Sequence, residues 1–229
     1  MRKGKLLKYA ELATFGNVFQ IPLHQIEQAP FSLKSRWAPD FFKNEKPITL
    51  ELGCGKGEYT LALAEKFPQE NFIGVDIKGA RLWRGSKTAL EKKINNVAFI
   101  RTNIENLVNV FSIGEISEIW LTFPDPQPQK SREKKRLTSP RFLDMFRSLL
   151  TPMGRIHLKT DNKSLFEYSL ESVRKSGGTI LFHTFDLYNE RMDDDILSVK
   201  TYYEGMFLEE GLKICYMKFV LNGPDGGIK

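Results

Sequence analysis

Ile48-Thr49-Leu50-Glu51-Leu52-Gly53-Cys54-Gly55-Lys56-Gly57-Glu58 is the stretch whose reading decides the fold. An apolar run of strand formers meets three alternating glycines, and a helical pattern starts directly after them. That is a strand, a tight turn and a helix start. Glycine suits such a turn because no Cβ stops the backbone from bending sharply or from coming close to a ligand. The spacing is G-x-G-x-G, not the G-x-G-x-x-G of dinucleotide-binding folds, and no Lys-Ser pair follows as in a P-loop. Taken alone, the turn is also an ordinary strand-to-helix connection. Asn71-Phe72-Ile73-Gly74-Val75-Asp76 then supplies a second strand that ends in a carboxylate, roughly 20 residues downstream, where an acid can accept hydrogen bonds from ribose hydroxyls. Asp76 read by itself is also a plain strand-end acid. Together the two features point to a nucleoside cofactor lying over Gly53, Gly55 and Asp76. The glycine spacing favours S-adenosylmethionine over NAD.

Outward from this stretch the chain alternates strand and helix. Residues 58–67 place Leu61, Ala64 and Phe67 at helical spacing, with Pro68 just past the end. Residues 78–93 form a helix with Leu82, Ala89 and Leu90 facing inward and Arg81, Arg84, Lys87, Lys92 and Lys93 outward, a solvated face. Strands follow at 97–102 and 118–123, a helix at 139–150 behind a Thr-Ser-Pro start, and a strand at 155–160. A helix at 162–176 is closed by Gly177-Gly178. Then come a strand at 179–184, a helix near 201–210 and a strand at 212–220. Strands that alternate with helices imply a doubly wound, mostly parallel sheet, here seven-stranded, of the α/β class. Ligands of such sheets bind beyond the carboxyl ends of the strands. The residues to examine are therefore those just after each strand, including Asn103, 124–136 and Asp161. The chain divides into a basic N-terminal extension (1–46), one domain (47–222) and a Gly/Pro-rich tail (223–229). Arg2, Lys3, Lys5 and Lys8 make the extension's basic arm, which is either a solvated terminus or a segment that touches phosphates.

The chain has 229 residues, 34 Lys and Arg against 28 acids, a net charge of +6 and a pI near 9.2. That excess permits a polyanionic partner. The two cysteines, Cys54 and Cys215, lie far apart and have no partners at metal-ligand spacing, so they read as reduced thiols of a cytoplasmic protein with no bound metal. Cys54 reads as a small filler of the glycine turn. Asp193-Asp194-Asp195 reads as a solvated loop. His157 and His183 sit in strand patterns and read as packed. No stretch approaches the ~18 apolar residues of a membrane span, and the basic N-terminus lacks the apolar core of a signal peptide.

The segment after the fourth strand carries specificity. Phe123-Pro124-Asp125-Pro126-Gln127-Pro128-Gln129-Lys130 contains three prolines that stiffen a loop and hold Asp125 in place. Ser131-Arg132-Glu133-Lys134-Lys135-Arg136-Leu137 follows, dense in positive charge. Such a run can be a solvated loop. Its position at the ligand edge, beside a fixed carboxylate, suggests chemistry on a nucleic acid.

On these motifs, together with Gly74-Val75-Asp76-Ile77-Lys78 through Trp83, Lys159-Thr160-Asp161-Asn162 and Thr201-Tyr202-Tyr203-Glu204, the chain resembles the bacterial tRNA (guanine-N7-)-methyltransferase family. The matches spread over nearly all of 48–220. The Pro-Asp-Pro loop with its basic tail is the most specific of them and the glycine loop the least. The resemblance implies a class I S-adenosylmethionine-dependent methyltransferase with a Rossmann-like fold, acting in the cytoplasm on guanine 46 of the tRNA variable loop, as a monomer or homodimer. It implies that Glu51, Asp76, Asn103 and Asp125 contact S-adenosylmethionine and that Asp125 is catalytic. It also gives Asp161 and Thr201, Tyr202, Tyr203 and Glu204 to the substrate guanosine, and Lys130, Ser131, Arg132, Lys134, Lys135 and Arg136 to the RNA. Residue by residue, Asp161 also fits a helix N-cap, and 201–204 fits a Ser/Thr-x-x-Glu helix start. The family usually has Trp and Lys where this chain has Gln127 and Gln129. The lysine belongs to substrate binding, a contact that is here either weakened at Gln129 or taken over by Lys130.

Rival readings divide by chemistry. An exocyclic-amine methyltransferase would carry an aromatic residue after its Asn/Asp-Pro-Pro, to stack a flipped base, and Gln127 follows Pro126 instead. A small-molecule methyltransferase has no need of the basic run. A non-catalytic tRNA-binding subunit has no need of Glu51, Asp76 and Asp125 together.

Overall fold

The computed structural model describes residues 3–22, 24, 31–190, 196–200 and 202–221. The chain forms two compact units, Met1–Ser112 and Ile113–Lys229.

The first unit holds α1 (Lys3–Leu12), β1 (Val18–Gln20), a π-helical turn (Trp37–Phe42), β2 (Ile48–Leu52), α2 (Glu58–Lys66), β3 (Asn71–Asp76), α3 (Gly79–Lys92), β4 (Val97–Arg101), a 3-10 turn (Ile104–Asn106) and α4 (Leu107–Val110). Its strands run in the order β1-β4-β3-β2, all parallel. Every residue of β2 and β3 is buried, as expected of parallel strands covered on both faces. The strand β1 raises the count to eight against the seven expected. Three residues, Val18-Phe19-Gln20, are too short to show a period, yet they pair with Phe99, Ile100 and Arg101.

The N-terminal arm, from Lys3 onward, is a helix. It packs on α3, where Glu11 accepts from Trp83 Nε1 and from Lys87 Nζ, both at 2.8 Å. The Lys8 ammonium lies 4.7 Å from the centre of the Trp83 ring. Arg2 lies outside the described residues. Along α3 the inward positions are Leu82, Gly85, Ser86 and Ala89, whereas Leu90 is 44% exposed, contrary to expectation. Gly85 takes the inner place because a Cβ there would stand 2.4 Å from the Lys56 carbonyl oxygen. The helix therefore approaches the glycine turn through its backbone. The extension is tied down further by Trp37, fully buried among Phe19, Phe31, Phe41 and Phe111, with its indole N–H donating to the Val110 carbonyl at 3.2 Å.

The second unit holds β5 (Ile116–Thr122), a 3-10 segment (Lys130–Lys135), α5 (Pro140–Leu149), β6 (Leu150–Thr160), α6 (Lys163–Lys175), β7 (Thr179–Thr184), α7 (Tyr202–Glu209) and β8 (Cys215–Val220). Its strands run in the order β5-β6-β8-β7, with β5 and β6 parallel and β8 antiparallel to both neighbours. Across β5, β6 and β8 lies a polar group inside the sheet layer. His157 stacks on Trp120 with ring centres 4.0 Å apart, its Nδ1 is 2.8 Å from the Tyr216 hydroxyl, and its Nε2 is 3.0 Å from Glu118 Oε1. Burial pushes the Glu118 carboxyl up, but the charge and hydrogen bond of His157, helped by Trp120, hold it below the ordinary range. His157 is thus packed as expected. His183 is exposed, because β7 alternates its faces. The acidic run 193–195 and the tail 222–229 lie outside the described residues.

Candidate active site

In the first unit the glycine turn is built as its sequence dictates. Gly53, Gly55 and Gly57 have φ of 78°, 59° and 72°, in the left-handed region that costs other residues about 1–2 kcal/mol. The N–H groups of Gly53 and Cys54 both donate to the Val75 carbonyl, at 2.8 and 3.1 Å, which fastens the turn to β3. A Cβ on Gly57 would lie 2.4 Å from Phe99 Cε1, so this glycine serves packing. A Cβ on Gly53 or Gly55 would meet nothing within 4 Å. These two therefore border open space that a ligand can enter.

Two carboxylates hold this turn. Glu51, 4% exposed, accepts the backbone N–H of Thr60 at 2.9 Å and the Thr60 hydroxyl as well. Thr60 lies in the first turn of α2, where backbone donors lack intrahelical partners. Glu51 thus caps a helix whose own N-cap, Gly57, has no side chain to do so. Asp76, 8% exposed, accepts from Gly55 N–H at 3.0 Å and from Lys78 N–H at 2.7 Å. A carboxylate can accept about four hydrogen bonds, so Asp76 has capacity for ribose hydroxyls beyond these two. Cys54 is buried in the same turn. Burial first, then the charges of Glu51 and Asp76, push its thiol well up, which fits a filler and not a nucleophile. Asn103 is exposed ahead of the 3-10 turn and makes no side-chain capping bond there. Sequence reasoning passed over Arg101. Its guanidinium donates to Gln20 Oε1 at 2.9 Å and to the Ile77 carbonyl at 3.4 Å and lies over Tyr9, so it ties β1 and α1 to the loop that follows Asp76.

In the second unit β5 ends at Thr122, and Phe123 N–H donates to the Lys159 carbonyl at 2.8 Å. Phe123 and Gln127 have φ of 49° and 44°. Left-handed backbone at a non-glycine residue costs about 1–3 kcal/mol and collects at functional sites. Between the two sits Asp125, exposed, its Oδ1 accepting from Gln127 N–H at 3.0 Å in an Asx-type turn. The basic run is the 3-10 segment, in which Lys130, Ser131, Arg132, Lys134 and Lys135 are exposed, as is Gln129 just before it. Arg136 is half-buried and points back. Its Nε donates to the carbonyls of Pro126 and Gln127 at 3.2 and 3.3 Å, its Nη2 donates to that of Gln127 at 3.2 Å, and its guanidinium lies 4.3 Å from the centre of the Tyr168 ring.

At the end of β6 the N-cap is Asn162, whose Oδ1 accepts from Leu165 N–H at 2.8 Å. Capping is therefore not the task of Asp161. Asp161 instead lines a cavity of about 410 Å³ with Lys163, Glu167, Phe185, Lys213 and Cys215. Burial pushes the Cys215 thiol up to about 11. Thr201 lies outside the described residues, and of Tyr202 and Tyr203 only the backbone, at the start of α7, is described. Glu204 is fully buried. Its Oε1 lies 2.7 Å from the equally buried Lys159 Nζ and accepts from the Tyr188 hydroxyl at 2.5 Å. Burial pulls the Lys159 ammonium below the ordinary range against the opposing charge of Glu204, and burial together with Glu204 pushes the Tyr188 phenol up. Sequence reasoning quoted Lys159 within a motif but gave it no role, and it passed over Tyr188. A lysine in an apolar strand, Ile156-His157-Leu158-Lys159, was the available signal.

Among the described residues no group of three or more His, Cys, Asp or Glu is placed to hold a metal ion, and no helix is long and apolar enough to cross a membrane.

Residues 45–217 match a protein family described as "Putative methyltransferase". The tRNA (guanine-N(7)-)-methyltransferase of Bacteroides fragilis is 49% identical over 96% of this chain and 87% of its own length. That of Bacteroides thetaiotaomicron is 48% identical over 100% of this chain and 89% of its own. Among solved structures, that of the 16S rRNA methyltransferase KamB superposes with a TM-score of 0.60 at 13% identity, over 89% of this chain and 95% of that one, a likeness of fold alone. With nearly half its residues identical to such relatives along almost their whole length, the chain belongs to the tRNA (guanine-N(7)-)-methyltransferase family.

Proposed function

We propose that this protein transfers a methyl group from S-adenosylmethionine to N7 of guanine 46 in the variable loop of tRNA, in the cytoplasm. The observation that carries the reading is the identity of 49% over 96% of the chain with an enzyme named for that reaction. N7 of guanine has a lone pair and no proton, so it attacks a sulfonium methyl directly. A C–N bond forms as the C–S bond breaks, the electron pair goes to sulfur, and the positive charge passes to the purine. No strong general base is needed, and the protein's task is positioning and electrostatics.

The residues of each unit fit that task. In the first, Gly53 and Gly55 leave room for the cofactor, Asp76 accepts from its ribose hydroxyls, and Glu51 and Asn103 complete the binding set. In the second, Asp125 offsets the charge that develops on the base, and its strained loop keeps the carboxylate placed before the reaction begins. Asp161 accepts from the N1 and N2 hydrogens of guanine, assisted by the 201–204 stretch, which Glu204 enters with its carboxylate already held by Lys159 and Tyr188. Lys130, Ser131, Arg132, Lys134 and Lys135 meet the RNA backbone, with Gln129 standing where the family has a substrate-binding lysine.

The test is transfer of a labelled methyl from S-adenosylmethionine to unmodified bulk tRNA, with the product nucleoside identified by mass and retention. N7-methylguanosine from the variable loop is the expected product. A different methylated nucleoside would overturn the substrate and leave the cofactor, whereas absence of binding heat with S-adenosylmethionine would overturn both.

A further inference from the structure

The resemblance places Arg136 with the RNA-binding cations. We propose instead that Arg136 is a positioning residue that locks the backbone of the Asp125 loop, an inference that rests on the function proposed above. Its neighbours Lys134 and Lys135 are exposed, but Arg136 is half-buried and donates through Nε and Nη2 inside the protein. Three hydrogen bonds run from Nε and Nη2 to the two consecutive carbonyls of Pro126 and Gln127. The guanidinium carbon lies over the Tyr168 ring of α6. A lysine could supply the charge but neither the fork nor the plane.

What the fork grips is the strained part of the loop. Gln127 is held at φ 44°, and its N–H is the donor that orients Asp125. One residue thus has its N–H on Asp125 and its carbonyl on Arg136, and the carboxylate is fixed through a single peptide segment. Strained conformations persist only where the surroundings over-determine them. Here the base of the clamp is itself anchored. The Ser139 hydroxyl donates to the Lys134 carbonyl at 3.2 Å, the Thr138 and Ser169 hydroxyls are 2.6 Å apart, and the Ser172 hydroxyl donates to the Thr138 carbonyl at 2.6 Å. Residues 134–139 are thereby fastened to α6, and Arg136 transmits that rigidity to Asp125.

The two roles for Arg136 differ in what they move. Arg136→Gln is compared with the parent and with Lys134→Ala, using tRNA affinity across a salt series, kcat at saturating tRNA, and hydrogen exchange at the Gln127 backbone amide. A positioning role predicts a fall in kcat of about 10- to 100-fold, as for a misplaced catalytic group. It also predicts a faster-exchanging Gln127 amide and an unchanged salt slope. Lys134→Ala sets the scale for a phosphate contact, lowering the slope by about 0.7–0.9. If Arg136→Gln lowers the slope by that amount and leaves kcat and the Gln127 amide as in the parent, the proposal is wrong. Thermal melting confirms that the variant is folded. Tyr168→Leu, which removes the stacking face from another side, should reproduce the faster exchange and overturns the proposal if the amide stays as protected as in the parent. Should the parent methylate no guanine N7, the functional reading fails, while the exchange measurement still decides whether Arg136 holds the loop.

Discussion

Removing the carboxylate of Glu204 should cost the fold about 3–5 kcal/mol, the penalty for leaving a buried charge without its partner. Lys159 and Glu204 are both 0% exposed with 2.7 Å between charged atoms, and at an effective dielectric near 20 that separation gives a gross attraction of about 6 kcal/mol. Desolvation of the two ions offsets most of this in the intact protein, so the pair adds little net stability. Deletion of one partner removes the attraction and keeps the cost of burying the other. In Glu204→Gln the ammonium stays in the interior with the Val199 carbonyl at 3.3 Å. For a chain of this size 1 kcal/mol moves the melting temperature by about 2–4 °C, so Glu204→Gln should melt about 6–20 °C below the parent. The double variant Lys159→Met/Glu204→Leu, which removes both charges, should recover most of that loss. Circular dichroism melts and urea titrations of the three proteins measure it directly. A Glu204→Gln melting curve within about 2 °C of the parent would refute the reasoning, because the pair would then be neither dry nor coupled. The assay needs no substrate and so separates the pair's part in the fold from any contact with guanosine.

Three further outcomes follow from other parts of the structure. Asp125→Asn should cut turnover by about 10²-fold or more, as for loss of one preorganised electrostatic contact, with S-adenosylmethionine binding by calorimetry kept as the control; parental turnover would remove Asp125 from the chemistry. Gly57→Ala should lose at least about 2 kcal/mol in urea unfolding, since it adds left-handed strain at φ 72° to a Cβ placed 2.4 Å from Phe99 Cε1; a neutral result would mean that the turn can move away. Glu118→Gln should flatten the acid limb of stability. The folded-state carboxyl of Glu118 lies below its ordinary 4.5, so its contribution is complete above that pH and is lost as pH falls through the folded value. The stability difference between parent and variant should therefore shrink below pH 4.5, and a difference constant down to pH 3 would contradict the pairing with His157.

The parts of this protein legible in the sequence were those in which one residue type does one job. Gly53, Gly55 and Asp76 announced themselves because a turn with positive φ and a strand-end acid have few other solutions. The alternation of strands and helices was equally plain from period and punctuation. What escaped was structure made by residues distant in sequence. Nothing near Glu51 says that its carboxylate caps α2 through Thr60, since the strand and the helix turn meet only after folding. The strand β1 has three residues and no pattern of its own, and it exists because β4 offers it an edge. Asp161 fitted a helix cap, and only the geometry assigns the cap to Asn162 instead. Glu204 also read as the acid of a Ser/Thr-x-x-Glu helix start, and its burial went unseen because its partners, Lys159 and Tyr188, lie 45 and 16 residues away.

The departure at Gln127 shows why side-chain identity was a poor guide in the Asp125 loop. The family's tryptophan is missing here, yet everything position 127 contributes to the placing of Asp125 comes from its main chain. The N–H goes to the Asp125 carboxylate, the carbonyl to Arg136, and φ is fixed at 44° by the bonds on either side. A residue that acts through its backbone can change its side chain without moving its neighbour, provided the left-handed conformation is held from outside. Glutamine carries no ring to stack and no charge to attract phosphate, and its side chain takes no part in these bonds. The burden of holding that geometry falls on Arg136, whose own side chain cannot be exchanged in the same way because its fork and its plane are both in use.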